Sequence, residues 1–181
     1  MMNLKTWMYN RNRINFKSQH NKKSKHNLSQ RIAFLVDGRK DSDLKIIETY
    51  VKKLQHLGKD ITLLFLTDHT SPEQISFQAF NAKSFNWFYI PKSPVVIDFI
   101  KKDFDLIISF NTENIPELNA IMDLSNAQFK IGVIHDHSDL YDLVINPVKE
   151  NSWKAYIKIL EETLDQLCTP EYNHSSAELV M

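Results

Sequence analysis

Short apolar runs alternate with helix-like segments from residue 31 onward, and this alternation limits the possible folds more than any other feature. The run Ile32–Val36 contains no polar residue, which is typical of a strand buried on both faces. From Leu44 to Leu57, apolar residues recur every three or four positions, which predicts an amphipathic helix of about seventeen residues. Asp41 or Ser42 can cap the start of that helix, and Gly58 can end it. Ile61–Leu66 predicts the second strand.

The alternation continues to residue 167. Further strands are predicted at Phe85–Ile90, Leu106–Ser109, Lys130–Ile134 and Leu143–Ile145, and further helices at Pro94–Lys102, Ile115–Leu124 and Trp153–Leu167. Residues 69–84 are ambiguous, because Ser71-Pro72 can begin a short helix that Phe77 and Phe80 would pack onto the sheet.

Strands that alternate with helices predict a parallel sheet covered on both faces. We therefore expect residues 31–167 to form a Rossmann-like α/β domain with about five or six strands in the order 3-2-1-4-5-6. The expected core consists of Phe34, Val36, Ile47, Val51, Leu64, Leu66, Ile107, Ile108, Ile131, Val133 and Trp153. Residues 168–181 show no such pattern, and we expect them to form a flexible tail.

The composition limits the cellular compartments and the kinds of enzyme that fit this chain. Cys168 is the single cysteine, which excludes an internal disulfide and, with no secretory signal, favours the cytoplasm. The longest apolar runs are far shorter than the ~20 residues of a membrane helix, so no membrane insertion is expected. Neither G-x-G-x-x-G nor G-x-x-x-x-G-K-[ST] occurs among only three glycines, which argues against a standard dinucleotide or P-loop enzyme and predicts no cofactor.

Polar residues follow several predicted strands, where ligands bind in open α/β sheets. The possible ligand pocket consists of Asp37, Arg39, Asn111, His135 and His137. A simpler explanation is that strand ends are polar because the chain leaves the core there.

His135-Asp136-His137 is the densest group of potential metal ligands, and imidazole with carboxylate suits zinc, manganese or iron. No third ligand group stands at metal-site spacing elsewhere, so we predict no metal site. Ser109 lacks the Gly-x-Ser-x-Gly context of an activated nucleophile, and Cys168 has no designated base. These observations favour a protein without catalytic activity.

Charge divides the chain at the same point where the fold begins. Residues 1–30 contain no acid, whereas the remainder holds fifteen bases and all twenty-two acids. The bases of this arm are Lys5, Arg11, Arg13, Lys17, Lys22, Lys23 and Lys25. The formal net charge of zero is therefore the sum of about +7 and about −7.

The arm combines its bases with aromatic residues such as Trp7, Tyr9 and Phe16. Cations neutralise phosphates and aromatic rings stack on bases, so we expect the arm to dock on RNA, a ribonucleoprotein or another large assembly. The acidic domain as a whole would repel phosphate.

Four other roles of the arm remain open. It can pack on the domain through a helical turn that carries Leu4, Trp7 and Met8, or act as a mitochondrial-type presequence. It can also be a disordered tail without a partner, or fold onto the acidic domain of its own or a neighbouring chain, which allows self-association.

Three segments resemble an uncharacterised family of small Rossmann-like proteins from Bacteroidota. They are Phe104-Asp105-Leu-Ile-Ile, Leu124-Ser-Asn-Ala-Gln-Phe-Lys-Ile-Gly132 and Tyr141-Asp142-Leu-Val-Ile. That resemblance implies the fold and no activity. The same segments faintly resemble the first half of heptosyltransferase-like glycosyltransferases, which bind their sugar nucleotide mainly in a second Rossmann domain that residues 1–181 do not include. A glycosyltransferase-like or metal-dependent enzyme is therefore the alternative to a non-catalytic binding or scaffold protein.

Overall fold

The computed structural model describes residues 30–39, 44–68, 78–133, 138–146 and 152–168. The strands in these residues are β1 (Arg31–Asp37), β2 (Asp60–Leu66), β3 (Gln78–Phe80), β4 (Leu106–Phe110), β5 (Phe129–Val133) and β6 (Leu143–Ile145). The α-helices are α1 (Leu44–His56), α2 (Pro94–Lys101), α3 (Pro116–Leu124) and α4 (Trp153–Cys168). Short 3₁₀ helices cover Ala82–Ser84 and Ser138–Leu140.

The six described strands form one sheet in the order β3-β2-β1-β4-β5-β6. Every pair of neighbours is parallel, so the predicted α/β class and Rossmann-like order are confirmed. Helices α1 and α4 pack on one face of the sheet, and α2 and α3 pack on the other. Strand β1 lies in the interior of the sheet, and the strand order reverses between β1 and β4.

Both faces of β1 are buried, as its uninterrupted apolar run predicts. Phe34 belongs to the core under α1 and α4, and Leu35 belongs to the core under α2 and α3. Ten of the eleven predicted core residues are buried. The exception is Trp153, which is only partly buried because it is the first residue of α4, at the rim of the core.

Phe110, at the end of β4, is the centre of an aromatic cluster. Its ring stacks on Phe34 at a centroid distance of 5.4 Å and meets Trp153 and Tyr156 edge-on at 5.2 and 5.3 Å. Each such pair contributes about 0.5–1.5 kcal/mol beyond the area it buries. The cluster thereby fixes the start of α4 against the carboxyl end of β4.

Helix α1 ends where the sequence predicts. Gly58 adopts φ +78°, a left-handed conformation that glycine enters without steric cost. The Gly58 amide donates to Gln55 O at 2.9 Å, and the Lys59 amide donates to Leu54 O at 3.1 Å. These two bonds form a Schellman motif that satisfies the last carbonyls of α1. The predicted caps at the start, Asp41 and Ser42, lie outside the described residues.

The prediction of the third strand at Phe85–Ile90 is wrong. Strand β3 is Gln78–Phe80 instead, and it pairs with the end of β2 between Leu64 and Leu66. Phe80, expected on a short helix, is therefore the last residue of this strand, whereas Ser71-Pro72 and Phe77 lie outside the described residues.

A tight loop, here called the aromatic loop, occupies the segment predicted as a strand and runs from Phe85 to Pro91. An isolated antiparallel bridge joins these two residues. The side-chain oxygen of Asn86 accepts hydrogen bonds from the amides of Phe88 at 2.9 Å and Ile90 at 3.0 Å. An asparagine that binds nearby amides in this way competes with strand pairing, which explains the wrong prediction.

The two similar segments around Asp105 and Asp142 share one structural role. The Asp105 carboxylate accepts the Arg31 amide at 2.9 Å, and the Asp142 carboxylate accepts the Lys130 amide at 2.9 Å. In return, the amides of the two aspartates donate to the carbonyls of Arg31 and Lys130 at 3.0 and 2.8 Å. Each aspartate therefore closes the amino-terminal end of a pair of strands.

Asp105 has an additional contact with the Arg31 side chain, whose Nη2 donates to Oδ1 at 2.8 Å. The Asp105 side chain is 8% exposed. Burial raises the pKa of Asp105, but the hydrogen bonds and the charge of Arg31 together outweigh it, so the pKa lies below its usual value. The ionised form of Asp105 is therefore more favourable in the folded protein than in the unfolded chain.

Lys130 and Gly132, which lie in the segment Leu124–Gly132 of the family resemblance, also have structural roles. The Lys130 ammonium donates to Met122 O and, at 3.5 Å, to Asp123 O, so it neutralises the carboxyl end of α3. Gly132 lies directly under the ring of Tyr141, because a Cβ built at this position would be 2.3 Å from Tyr141 Cε1. The segments that carry the resemblance thus hold the sheet and its helices together.

We expect Gly132→Ala to destabilise the fold by about 1–3 kcal/mol, because a new methyl group must displace the ring of Tyr141. Urea unfolding followed by far-UV circular dichroism measures this change. Tyr141→Ala removes the ring, so the cost of Gly132→Ala in that background should fall markedly. An equal cost in both backgrounds would show that the close approach is not the cause.

We expect Asp105→Asn to destabilise the protein by about 1–2 kcal/mol at pH 7, because one charge-assisted bond to Arg31 is lost. A carboxylate whose folded pKa is lowered stabilises above its unfolded pKa, and this stability is lost as pH falls through the folded value. The difference from the wild type should therefore shrink below about pH 4. Asp142→Asn is the control, because asparagine keeps an oxygen that can accept the Lys130 amide and removes only the charge of the side chain. A pH-independent effect of Asp105→Asn would contradict the assignment.

Candidate functional site

The candidate site is the carboxyl-terminal edge of the sheet between β1 and β4. Asp37 is in register with Leu66 of β2, and Val36 is in register with Phe110 of β4. The three strands consequently end at the same level. Asp37 and the residues that follow the three strands, 38–39, 67–68 and 111–113, are therefore brought to one edge, where ligands bind in this class of fold.

Asp37 and Arg39 form a bidentate ion pair at this edge. Arg39 Nε donates to Asp37 Oδ1 at 2.8 Å, and Nη2 donates to Oδ2 at 3.0 Å. The side chain of Asp37 is 6% exposed and that of Arg39 is 30% exposed. The hydrogen bonds to Asp37 raise the pKa of Arg39 above its usual value, despite partial burial. Two parallel bonds fix the guanidinium in one orientation.

Asn111 stabilises the turn that follows β4. Its amide nitrogen donates to Glu113 O at 2.7 Å, and its amide oxygen accepts the Glu113 amide at 3.0 Å. Asn111 is only 1% exposed. Both ends of this side chain are therefore used in shaping the loop that presents Glu113.

Glu113 joins the two halves of the site. Its Oε2 lies 3.7 Å from Arg39 Nη2, and Asp68 also acts on Arg39 through its charge. Two carboxylates, those of Asp37 and Glu113, thus lie within 3.7 Å of the Arg39 guanidinium, and the charge of Asp68 adds to theirs. Such a cluster is unfavourable for the diphosphate of a sugar nucleotide, because the net charge of these four side chains is negative.

The structure therefore brings together Asp37, Arg39 and Asn111 of the predicted pocket. His135 and His137 lie outside the described residues, as do all seven bases of the arm. Within the described part of the chain, no group of three or more His, Cys, Asp or Glu side chains is placed to hold a metal ion. None of the helices in that part is long and apolar enough to cross a membrane.

The aromatic loop is a second surface of interest, which sequence reasoning missed by reading it as a strand. It follows β3 and precedes α2, with Phe85 and Pro91 buried. The Trp87 side chain is 78% exposed. The sequence signal was the asparagine at the start of Asn86-Trp87-Phe-Tyr, a residue that favours turns, next to a proline that ends a strand.

Comparison with known proteins identifies one family. The sequence profile of a family of unknown function, DUF6913, matches residues 5–167. No curated protein and no solved structure matches the chain.

Substitutions at two asparagines test whether the amide nitrogen of Asn111 stabilises the turn after β4. Asn111→Asp replaces a donor to Glu113 O with a carboxylate, so we expect a loss of about 1–3 kcal/mol at pH 7. Asn86→Asp is the matched control, because its oxygen accepts from Phe88 and Ile90 and aspartate keeps that acceptor. We expect the control to change stability by less than about 0.5 kcal/mol in urea unfolding. Similar losses in both variants would contradict the described bonding at Asn111.

Proposed function

Since the chain belongs to a family of unknown function, DUF6913, we propose its role from its own charges: a non-catalytic binding protein whose basic arm docks on RNA or a ribonucleoprotein. The observation that carries this proposal is the extent of the family match. It begins at residue 5 and so includes all seven bases of the arm. This supports an arm that is a property of the family rather than an appendage of one chain.

The charges of the domain support the same division of labour. The arm joins the domain at Arg31, the first residue of β1, and its seven cations face no acid within residues 1–30. At the opposite edge of the sheet, Arg39 pairs with Asp37 and Glu113, and the charge of Asp68 also acts on it. A polyanion is therefore attracted to the arm and repelled from the edge where enzymes of this fold class bind phosphate.

The alternative is a glycosyltransferase-like or metal-dependent enzyme at that edge. This alternative is supported by the proximity of three polar residues, Asp37, Arg39 and Asn111. His135 and His137 are further candidate residues for its site. Because Arg39 already pairs with Asp37, we favour binding over transfer of a sugar from a nucleotide.

The proposal also includes a cytoplasmic location, from the single Cys168, and an origin among the Bacteroidota proteins that the three segments resemble.

The arm should bind single-stranded RNA in a strongly salt-dependent manner. Five phosphate contacts give a slope of log K against log salt between about −3.5 and −4.5. Fluorescence anisotropy with a labelled oligonucleotide and the full chain measures this slope. Substitution of Lys17, Lys22, Lys23 and Lys25 by Gln should reduce its magnitude by about 2–3.

Four exposed lysines on α1 and α4 provide the matched control: Lys45, Lys52, Lys154 and Lys158. Their replacement by Gln removes the same charge from the domain and should leave the slope unchanged. Equal effects of both sets, or no binding by the wild type, would overturn arm-mediated docking. If the arm substitutions lower the stability of the domain while RNA has no effect, the arm instead docks on its own protein.

A further inference from the structure

The aromatic loop is a rigid support for an exposed indole ring. The Asn86 amide donates to Ile90 O, and the Tyr89 amide donates to Asn86 O, both at 3.0 Å. With the two bonds to the Asn86 side chain, four hydrogen bonds close a loop of seven residues. The buried ends of the loop anchor it, because Phe85 packs edge-on against Phe80 at a centroid distance of 5.9 Å.

Trp87 stands at the exposed part of this support. Trp87 is 78% exposed, and among the described residues Leu57 is the other large apolar residue that is exposed. Tyr89, two residues later, has φ +59°, which costs a non-glycine residue roughly 1–2 kcal/mol. The hydrogen bonds of Asn86 maintain this conformation, so the loop presents Trp87 in a defined position.

The segment that contains the loop differs in charge from the rest of the domain. Residues 74–97 contain two lysines, Lys83 and Lys92, and no acid. Both lysines are exposed. They flank the two ends of the loop, and the Lys92 amide donates to the carbonyl of Ser84, the neighbour of Lys83, at 2.9 Å. Screening limits charge effects to ~8–10 Å, so a phosphate bound at the loop is influenced by the charges close to it more than by the net −7 of the domain.

We propose that the aromatic loop is a stacking platform for single-stranded RNA, in which Trp87 stacks on a base and Lys83 and Lys92 contact the adjacent phosphates. This inference rests on the proposed function and adds a second RNA contact on the domain itself. An aromatic ring beside cations is the combination with which proteins bind single strands without sequence preference. The two lysines supply the positive charge for this contact within a segment, residues 74–97, that contains no acid.

The flanking charges favour RNA over a protein as the occupant. Tryptophan is common in both kinds of interface, but lysine is depleted in interfaces between proteins. Two lysines at the base of an acid-free loop therefore complement a phosphate backbone better than an apolar protein surface. The rigid loop also lowers the entropy lost on binding.

The test measures the affinity of the full chain for a uridine oligonucleotide of about 12 nucleotides, a length within the range that single-strand binding proteins cover. With the full chain, Trp87→Ala should weaken binding by about 5- to 100-fold, and Trp87→Phe should weaken it much less. Trp87→Phe should nevertheless lose the share of the tryptophan quenching that comes from Trp87, and the share from Trp7 of the arm should remain. Thermal unfolding should be unchanged in both variants, because the side chain is exposed.

The outcomes separate this inference from the proposed function. Binding that depends on the arm lysines but not on Trp87 overturns the stacking platform and leaves arm docking intact. No binding by the wild type overturns both. If Trp87→Ala abolishes capture of a protein from nuclease-treated lysate while oligonucleotide affinity is unchanged, the loop is a protein-binding site and the inference fails.

Discussion

The contact between the Asp105 carboxylate and the amide of Arg31 joins the two strands at the centre of the sheet. Strands β1 and β4 meet where the strand order reverses, so every other element is placed relative to this pair. The carboxylate binds both the amide and the guanidinium of Arg31, at 2.9 and 2.8 Å. A buried carboxylate with two such donors favours one register, because a shift by one residue would leave its charge unpaired.

The same device recurs two strands away, where Asp142 binds the amide of Lys130. Both aspartates precede a short run of apolar residues, so the repeated Asp-Leu-x-Ile pattern marks the entry of a strand rather than a reacting group. Lys130 and Gly132 likewise serve the end of α3 and the ring of Tyr141. Resemblance through these segments therefore identifies a way of building the sheet and carries no information about chemistry.

The sequence was sufficient to predict the helices and strands whose structure is decided by burial of apolar residues. Strand β1 is apolar on both faces, and α1 has one apolar face and a glycine at its end, so both were predictable. Strand β3 has only three residues, and its pairing depends on β2. The aromatic loop contains the aromatic residues of a strand, but two hydrogen bonds to Asn86 decide its conformation. Periodicity does not reveal a bond of that kind.

The site was predictable in position and not in its bonding. Asp37, Arg39 and Asn111 meet because their strands end at one level, which follows from parallel order. The engagement of Arg39 by Asp37, and of Asn111 by the Glu113 backbone, depends on distances that spacing in the sequence does not give.

The position of β1 has a mechanical consequence for anything attached to residues 1–30. The edge strands β3 and β6 have three residues each, and short edges with few partners open at low free energy. The point of attachment, by contrast, is the end of a seven-residue strand that pairs on both sides. Fraying at either edge therefore leaves the attachment of the arm intact. A force that pulls on the arm is resisted until the sheet as a whole unfolds.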